Sequence, residues 1–283
     1  MLIGQVDLSA ADAAQRFTAT LRETGFAIVR HRSIDVAMLA ELERGWRRFF
    51  DANTAAKNCL AHDSPGQPPL CGYWPTHESE QAVGASTIDL KEFFHVLPGA
   101  FLPAGTARAT FRYREHALAT GRLLLNFLTD IDPAGLARLL SPNDSVLRLV
   151  YYPKLAGQLP AGALRAAAHE DINLLTVLPV ANEPGLEVRD RDGTWHRVAG
   201  RPGELVVNAG DMLAELSEGR YPSTTHRVVN PTADNVARFA APLFITPFLD
   251  TVLSSRYTAG AYLAERLHAI SNGSQAPSRD WQS

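Results

Sequence analysis

Four side chains in the second half of the chain could act together: His169, Asp171, His226 and Arg238. His169-Glu170-Asp171 precedes an apolar stretch that begins at Ile172. On an extended strand residues i and i+2 share a face, so an imidazole nitrogen and a carboxylate would point at one place. A lone His-x-acid triplet says little, because nine histidines are scattered along the chain. His226, inside Tyr221-Pro-Ser-Thr-Thr-His226-Arg-Val-Val229, falls on a second predicted strand. Two imidazoles and one carboxylate on strands of one barrel can occupy a face of an octahedral iron(II) and leave the opposite positions open. Arg238 stands at the entry to Ala241-Pro-Leu-Phe-Ile-Thr-Pro247. A guanidinium buried at a barrel mouth requires an anion, and its fork fits a carboxylate.

The elements that must position these groups are strands. After Pro142, apolar β-rich runs recur at Val146–Tyr152, Ile172–Leu178, Leu186–Arg189, Thr194–Val198, Leu205–Asn208, Thr225–Val229 and Leu243–Phe248. Arg191-Asp192-Gly193 between two of them is a hairpin signal. Short strands without helical crossovers predict an antiparallel sandwich or jelly roll. The first half reads as helical. One helix should start at an Ser9 N-cap and stop at Gly25, and Phe26–Val29 should be a buried strand joining the β-core. A second helix, Asp35–Phe50, carries Met38, Leu42, Trp46 and Phe49 on one face. A third, Ala107–Thr129, carries the stripe Phe111, Leu118, Gly121, Leu125 and Leu128, and Tyr262–Ile270 should form the last. Segment 61–90, rich in Pro, Gly, Ser and His, reads as loop. The expected class is α+β: a helical N-terminal region (1–143) and a jelly-roll core (144–250) folding as one unit, followed by a C-terminal helix and tail (251–283).

Composition narrows the partners. The 283 residues carry 27 Lys+Arg against 30 Asp+Glu, a net charge of −3, which leaves no basic surplus for nucleic acid. No apolar run is long enough to span a bilayer, and the start has no basic and apolar leader pattern. Only Cys59 and Cys71 are present, so a disulfide framework is ruled out and a cytoplasmic protein is the expectation.

The order His169-x-Asp171, Asn208-x-Gly-Asp211, Thr225-His226-Arg-Val228 and Arg238 resembles the isopenicillin N synthase-like branch of the iron(II)/2-oxoglutarate-dependent dioxygenases. Gly25-Phe26-Ala27-Ile28-Val29 is similar to the strand that follows that family's opening helix. Asp89-Leu90-Lys91-Glu92 resembles its Asp-Trp-Lys-Glu segment, and Leu149-Val150-Tyr151-Tyr152-Pro153 its Asn-Tyr-Tyr-Pro strand. The resemblance implies a double-stranded β-helix core and the cofactors Fe(2+), 2-oxoglutarate and O2. It implies His169, Asp171 and His226 as metal ligands, with Arg238 on the far carboxylate of 2-oxoglutarate and Tyr152 hydrogen-bonding the same co-substrate. The implied reaction is hydroxylation, desaturation or cyclisation of a small molecule, in secondary metabolism, with 2-oxoglutarate decarboxylated to succinate.

Two positions depart from the family pattern. Its Arg-x-Ser is Arg238-Phe239-Ala240 here, and its asparagine before the paired tyrosines is Val150. Both remove a polar contact to the co-substrate. They favour the alternative of an iron oxidase of the same family that uses no 2-oxoglutarate and holds a substrate carboxylate on Arg238. A non-catalytic small-molecule-binding barrel would be indicated by loss of a ligand, and a zinc hydrolase by a positioned general base. Candidate substrate contacts are Arg148, which alternation places on the face of Val150 and Tyr152, together with Tyr73, Lys91 and His95. Segment 61–95 and the C-terminal tail should cover the cleft.

Overall fold

The chain turns from helix to sheet at Gly25. This residue sits at φ 69°, and a Cβ there would lie 2.3 Å from the Pro222 carbonyl oxygen, so both its conformation and its surroundings demand glycine. Its N–H bonds Leu21 O at 2.9 Å and closes the helix. The structure is a computed structural model that describes residues 3–79, 87–157, 159–232 and 235–272. Along the chain lie β1 (Gln5–Asp7), α1 (Ala13–Thr24), β2 (Phe26–Arg30), α2 (Val36–Phe50), α3 (Thr54–Asn58), β3 (Gly72–Trp74), β4 (Glu92–Val96) and α4 (Ala107–Asn126). There follow β5 (Val146–Tyr152), β6 (Ala166–His169), β7 (Leu175–Pro179), β8 (Leu186–Arg189), β9 (Trp195–Arg197), β10 (Glu204–Ala209), α5 (Asp211–Leu216), β11 (His226–Val228), β12 (Arg238–Ala240), β13 (Leu243–Ile245) and α6 (Ala259–Asn272).

Among the described residues the strands form two sheets. The larger has nine strands, ordered β1-β2-β10-β7-β13-β5-β4-β3 with β12 also paired to β5, and the smaller runs β6-β11-β8-β9. Only β1–β2 is parallel. This is the jelly-roll α+β architecture expected from the strand pattern. β2 comes from the helical half yet pairs with β10, Phe26 opposite Asn208.

Two apolar layers hold the fold. The larger lies between the helices and the outer face of the nine-stranded sheet. There α2 buries Met38, Leu42, Trp46 and Phe49, the spacing expected from the sequence, and Asp35 caps it by accepting from the Met38 N–H at 2.7 Å. Trp46 is fully buried and donates Nε1–H to Thr110 Oγ1 at 2.9 Å, so truncating it to Ala should cost about 3–5 kcal/mol. α4 approaches the sheet closely at Gly121, where a Cβ would lie 1.9 Å from Ile245 Cδ1. The smaller layer, with Phe26, Phe93, Val150, Leu186 and Val206, fills the space between the sheets.

Several local expectations are corrected. Ser9 does not cap α1; it bonds Asp7 Oδ1 through both its N–H and its hydroxyl, and α1 starts at Ala13. α4 ends at Asn126; of the expected stripe Gly121 and Leu125 are buried, but Phe111 is 44% exposed, and Tyr113, Ala117 and Leu124 complete the buried face. The buried face is therefore wider than the expected stripe and is shifted off Phe111 at its start. The strand expected from Ile172 begins at Leu175, and segment 61–90 contains β3. The part of that segment at 80–86, and the tail from 273 onward, lie outside the described residues. Among the described residues no helix is long and apolar enough to cross a membrane.

Candidate active site

His169 ends β6 and His226 begins β11, and the two are direct cross-strand partners. Asp171 lies in the bend after β6, so its convergence with His169 does not come from strand alternation as the sequence reading supposed. The bend rests on the start of α5: Asp211 N–H donates to Asp171 O at 2.7 Å, and Met212 N–H reaches Ile172 O and Asn173 O at 3.2 and 3.1 Å. Gly210 permits this approach, since a Cβ there would lie 2.2 Å from Asn173 O and 2.8 Å from Asp171 O. Thr225, beside His226, donates its hydroxyl to Glu170 Oε1 at 2.9 Å and ties the bend to β11.

The three candidate ligand atoms lie within 4.8 Å of one another. Asp171 Oδ1 is 3.9 Å from His169 Nε2 and 3.8 Å from His226 Nε2. Each histidine bonds a backbone carbonyl through Nδ1, Ala167 O at 2.8 Å and Thr224 O at 3.1 Å. A carbonyl only accepts, so Nδ1 carries the hydrogen and the Nε2 lone pair points to the common centre. Asp171 Oδ2 accepts from Thr176 Oγ1 at 2.5 Å and Asn208 Nδ2 at 2.8 Å, which turns Oδ1 toward the imidazoles. Burial pushes the Asp171 carboxyl up, but the two imidazoles and these two hydrogen bonds outweigh it and hold the pKa below the usual carboxylate value. Burial, then the His226 charge, lowers the His169 pKa, so the ring is neutral and able to ligate at neutral pH. The donor set fits an octahedral divalent iron with one face open.

The triad opens into a cleft of about 610 Å³, counting space continuous with solvent. Its wall includes Tyr152 and Arg238, opposite one another on β5 and β12, and the next same-face pair, Val150 and Ala240. Arg238 is 3% exposed; it donates Nε–H to Glu183 O at 3.3 Å and its guanidinium lies 5.3 Å from the Tyr152 ring centre. Arg148 also lines the cleft, near the Phe93 and Phe244 rings at 4.6 and 5.2 Å, and donates Nε–H to His95 Nε2 at 2.7 Å. His95 Nδ1 bonds Leu70 O at 3.1 Å, which supports His95 as the neutral acceptor. Lys91 reaches the cleft but is paired with Asp89 at 2.7 Å, whose other oxygen accepts from the Ala167 N–H. Tyr73 does not join this group. Its hydroxyl donates to Glu92 Oε2, and its ring packs with Phe49 on the helix-covered face.

Thr176, Asn208 and Gly210 form the platform under Asp171, a role the sequence reading did not assign. Asn208 and Gly210 were visible as part of Asn208-x-Gly-Asp211, but nothing local joined them to a residue far earlier in the chain.

A nine-stranded sheet facing a four-stranded one, with two histidines and an aspartate converging between them, is an arrangement that fits a non-haem iron oxygenase. Residues 143–247 match the 2OG-Fe(II) oxygenase superfamily, and residues 3–110 match the non-haem dioxygenase in morphine synthesis N-terminal family. Gibberellin 20 oxidase 1 of Oryza sativa subsp. japonica is 44% identical over 117 residues, 41% of this chain and 30% of that enzyme. Gibberellin 20 oxidase 1-D of Triticum aestivum is 30% identical over 265 residues, 87% of this chain and 70% of that enzyme. The chain thus spans only part of the curated relatives it matches. A solved structure of a Shewanella oneidensis protein described as an oxygenase is 37% identical with a TM-score of 0.83, covering 96% of this chain and 99% of that one. The chain belongs to the 2OG-Fe(II) oxygenase superfamily, in its isopenicillin N synthase-like branch.

Proposed function

We propose that the protein is an Fe(II)- and 2-oxoglutarate-dependent oxygenase acting on a small molecule with an apolar body and an acidic group. The observation that carries this is the shared cleft: His169, Asp171 and His226 at one end of a wall whose β5–β12 face presents Tyr152 and Arg238. His169 Nε2, His226 Nε2 and Asp171 Oδ1 would hold the metal. When bound, the iron and 2-oxoglutarate supply oxidative decarboxylation to succinate and CO2, coupled to oxidation of a substrate C–H bond.

The chain contributes binding, orientation and exclusion of water. Arg238 neutralises the far carboxylate of 2-oxoglutarate, with Tyr152 beside it. Phe26, Leu178, Leu186 and Phe244 supply the apolar part of the wall. Arg148, held by His95 and by two aromatic rings, meets the acidic group of the substrate and aims the oxidisable carbon toward the triad. His95 and Lys91 act behind the substrate: His95 orients Arg148, and Lys91 with Asp89 braces β6.

The test is release of CO2 from 1-labelled 2-oxoglutarate in the presence of small aromatic and alicyclic carboxylic acids and their amides. The acids should stimulate release, the amides should not, and Arg148→Met should abolish the difference. Equal stimulation by acids and amides would remove Arg148 from substrate recognition. A second reading, favoured by Ala240 and Val150, is an oxidase that consumes O2 with no 2-oxoglutarate added. Oxygen uptake by the iron-loaded protein with and without the keto acid separates the two.

A further inference from the structure

We infer that Arg165 is a second cation for the far carboxylate of 2-oxoglutarate, in a chain that has Ala240 where the family has a hydroxyl. This rests on the reading above that the keto acid occupies the Arg238 end of the cleft. Arg165 is 1% exposed and lies behind the cleft wall, immediately before the lining residue Ala166. Its Nη2 donates to Val236 O at 2.5 Å, two positions before Arg238. Its Nε is buried without a hydrogen-bond partner.

The charges around it do not close. Among the described residues neither Arg165 nor Arg238 forms an ion pair, and Arg238 has one hydrogen bond, to the Glu183 carbonyl. Glu183 Oε1 is engaged by Arg47 at 2.7 Å while its Oε2 is buried without a partner, and Arg47 is also bound to Glu43 at 2.6 Å. Three arginines against two glutamates leave one positive charge in a partly buried group. Burial, and then the neighbouring Arg238 charge, lowers the Arg165 pKa, and burial lowers that of Arg238. Tyr152 and Glu183 lie within electrostatic range of both. A guanidinium carries five donors, and leaving one of them, the Arg165 Nε–H, buried and unmet is costly unless an anion completes the site. One carboxylate would balance the charge and supply acceptors to both forks. A purely structural Arg165 would explain the Val236 contact but not the orphaned Nε, nor the placement of a second cation beside Arg238.

The test compares two keto acids bound to the iron(II)-loaded protein without oxygen, read by the visible charge-transfer band. 2-Oxoglutarate and 2-oxovalerate chelate the metal identically, but the second ends in a methyl group in place of the far carboxylate. Arg165→Met should weaken 2-oxoglutarate by about tenfold or more and 2-oxovalerate by less than about threefold, with Arg165→Lys between. Equal weakening of both keto acids, or no change in either, would overturn the inference. If Arg165→Met does not fold, the same ratio is measured for Arg165→Lys and Arg165→Gln, and a ratio unchanged from wild type in both overturns it. A wild-type protein that does not prefer 2-oxoglutarate over 2-oxovalerate refutes the co-substrate reading itself, before any Arg165 variant is compared.

Discussion

His169 and His226 face each other across β6 and β11, with ring centres 4.3 Å apart and both Nδ1 atoms spent on backbone carbonyls. The site is therefore built by sheet register, and a one-residue slip would turn one imidazole away.

Replacing His169, Asp171 or His226 by Ala should abolish turnover and metal binding while leaving the fold cooperative, because the side chains border a cleft and do not fill a core. Metal titration and thermal melting of each variant check this. Near-normal activity in any one variant removes that residue from the centre.

Asn208→Ala should lower metal affinity by about 10- to 100-fold, since it leaves Asp171 Oδ2 with the Thr176 hydroxyl alone while every ligand stays in place. Gly210→Ala should do at least as much damage and also lower Tm, because its Cβ would push directly on Asn173 and the Asp171 carbonyl. Metal affinity measured beside Tm separates the two effects.

A fragment beginning at Ser141 should not fold. It lacks β2, which lies between β1 and β10, and β4, which pairs along β5. A soluble fragment that melts cooperatively and binds iron would refute the single-unit architecture.

Asp130 links distant segments: Arg22 at 2.7 Å, Arg220 at 3.1 Å and the Tyr221 hydroxyl at 2.5 Å, just ahead of His226. Burial pushes its carboxyl up, but the bonds from Tyr221, Arg22 and Arg220 prevail and depress the pKa. A depressed carboxyl contributes stability that is present above its unfolded value, about 3.9, and is lost as pH falls through the folded one. Asp130→Asn should therefore cost about 1–2 kcal/mol at neutral pH, given its partly exposed partners, and flatten the acid limb of the stability curve. Urea unfolding from pH 7 to pH 3 checks both parts.

The chemistry was more legible in the sequence than the architecture that delivers it. His169, Asp171, His226 and Arg238 stand out because such side chains are sparse in apolar runs, and the α2 stripe because Met38, Leu42, Trp46 and Phe49 keep helical spacing. The bend that places Asp171 was not legible, because it depends on Gly210 and α5, which meet it only in three dimensions. β3 was hidden because a three-residue strand in a Pro- and Gly-rich segment is fixed by its partner β4. Arg165 gave no sequence signal at all; only burial beside Arg238 distinguishes it from a surface arginine.

The central claim, that iron(II) and 2-oxoglutarate meet in this cleft, is tested most directly by anaerobic titration of the protein with both while the visible charge-transfer band is recorded. The band should appear only with both present and vanish in Asp171→Ala. Ala240→Ser should tighten the keto acid by about threefold to tenfold, the equivalent of one added hydrogen bond, and Arg238→Ala should weaken it far more. Absence of the band in the wild-type protein, or a keto-acid affinity that ignores Arg238, would contradict the account.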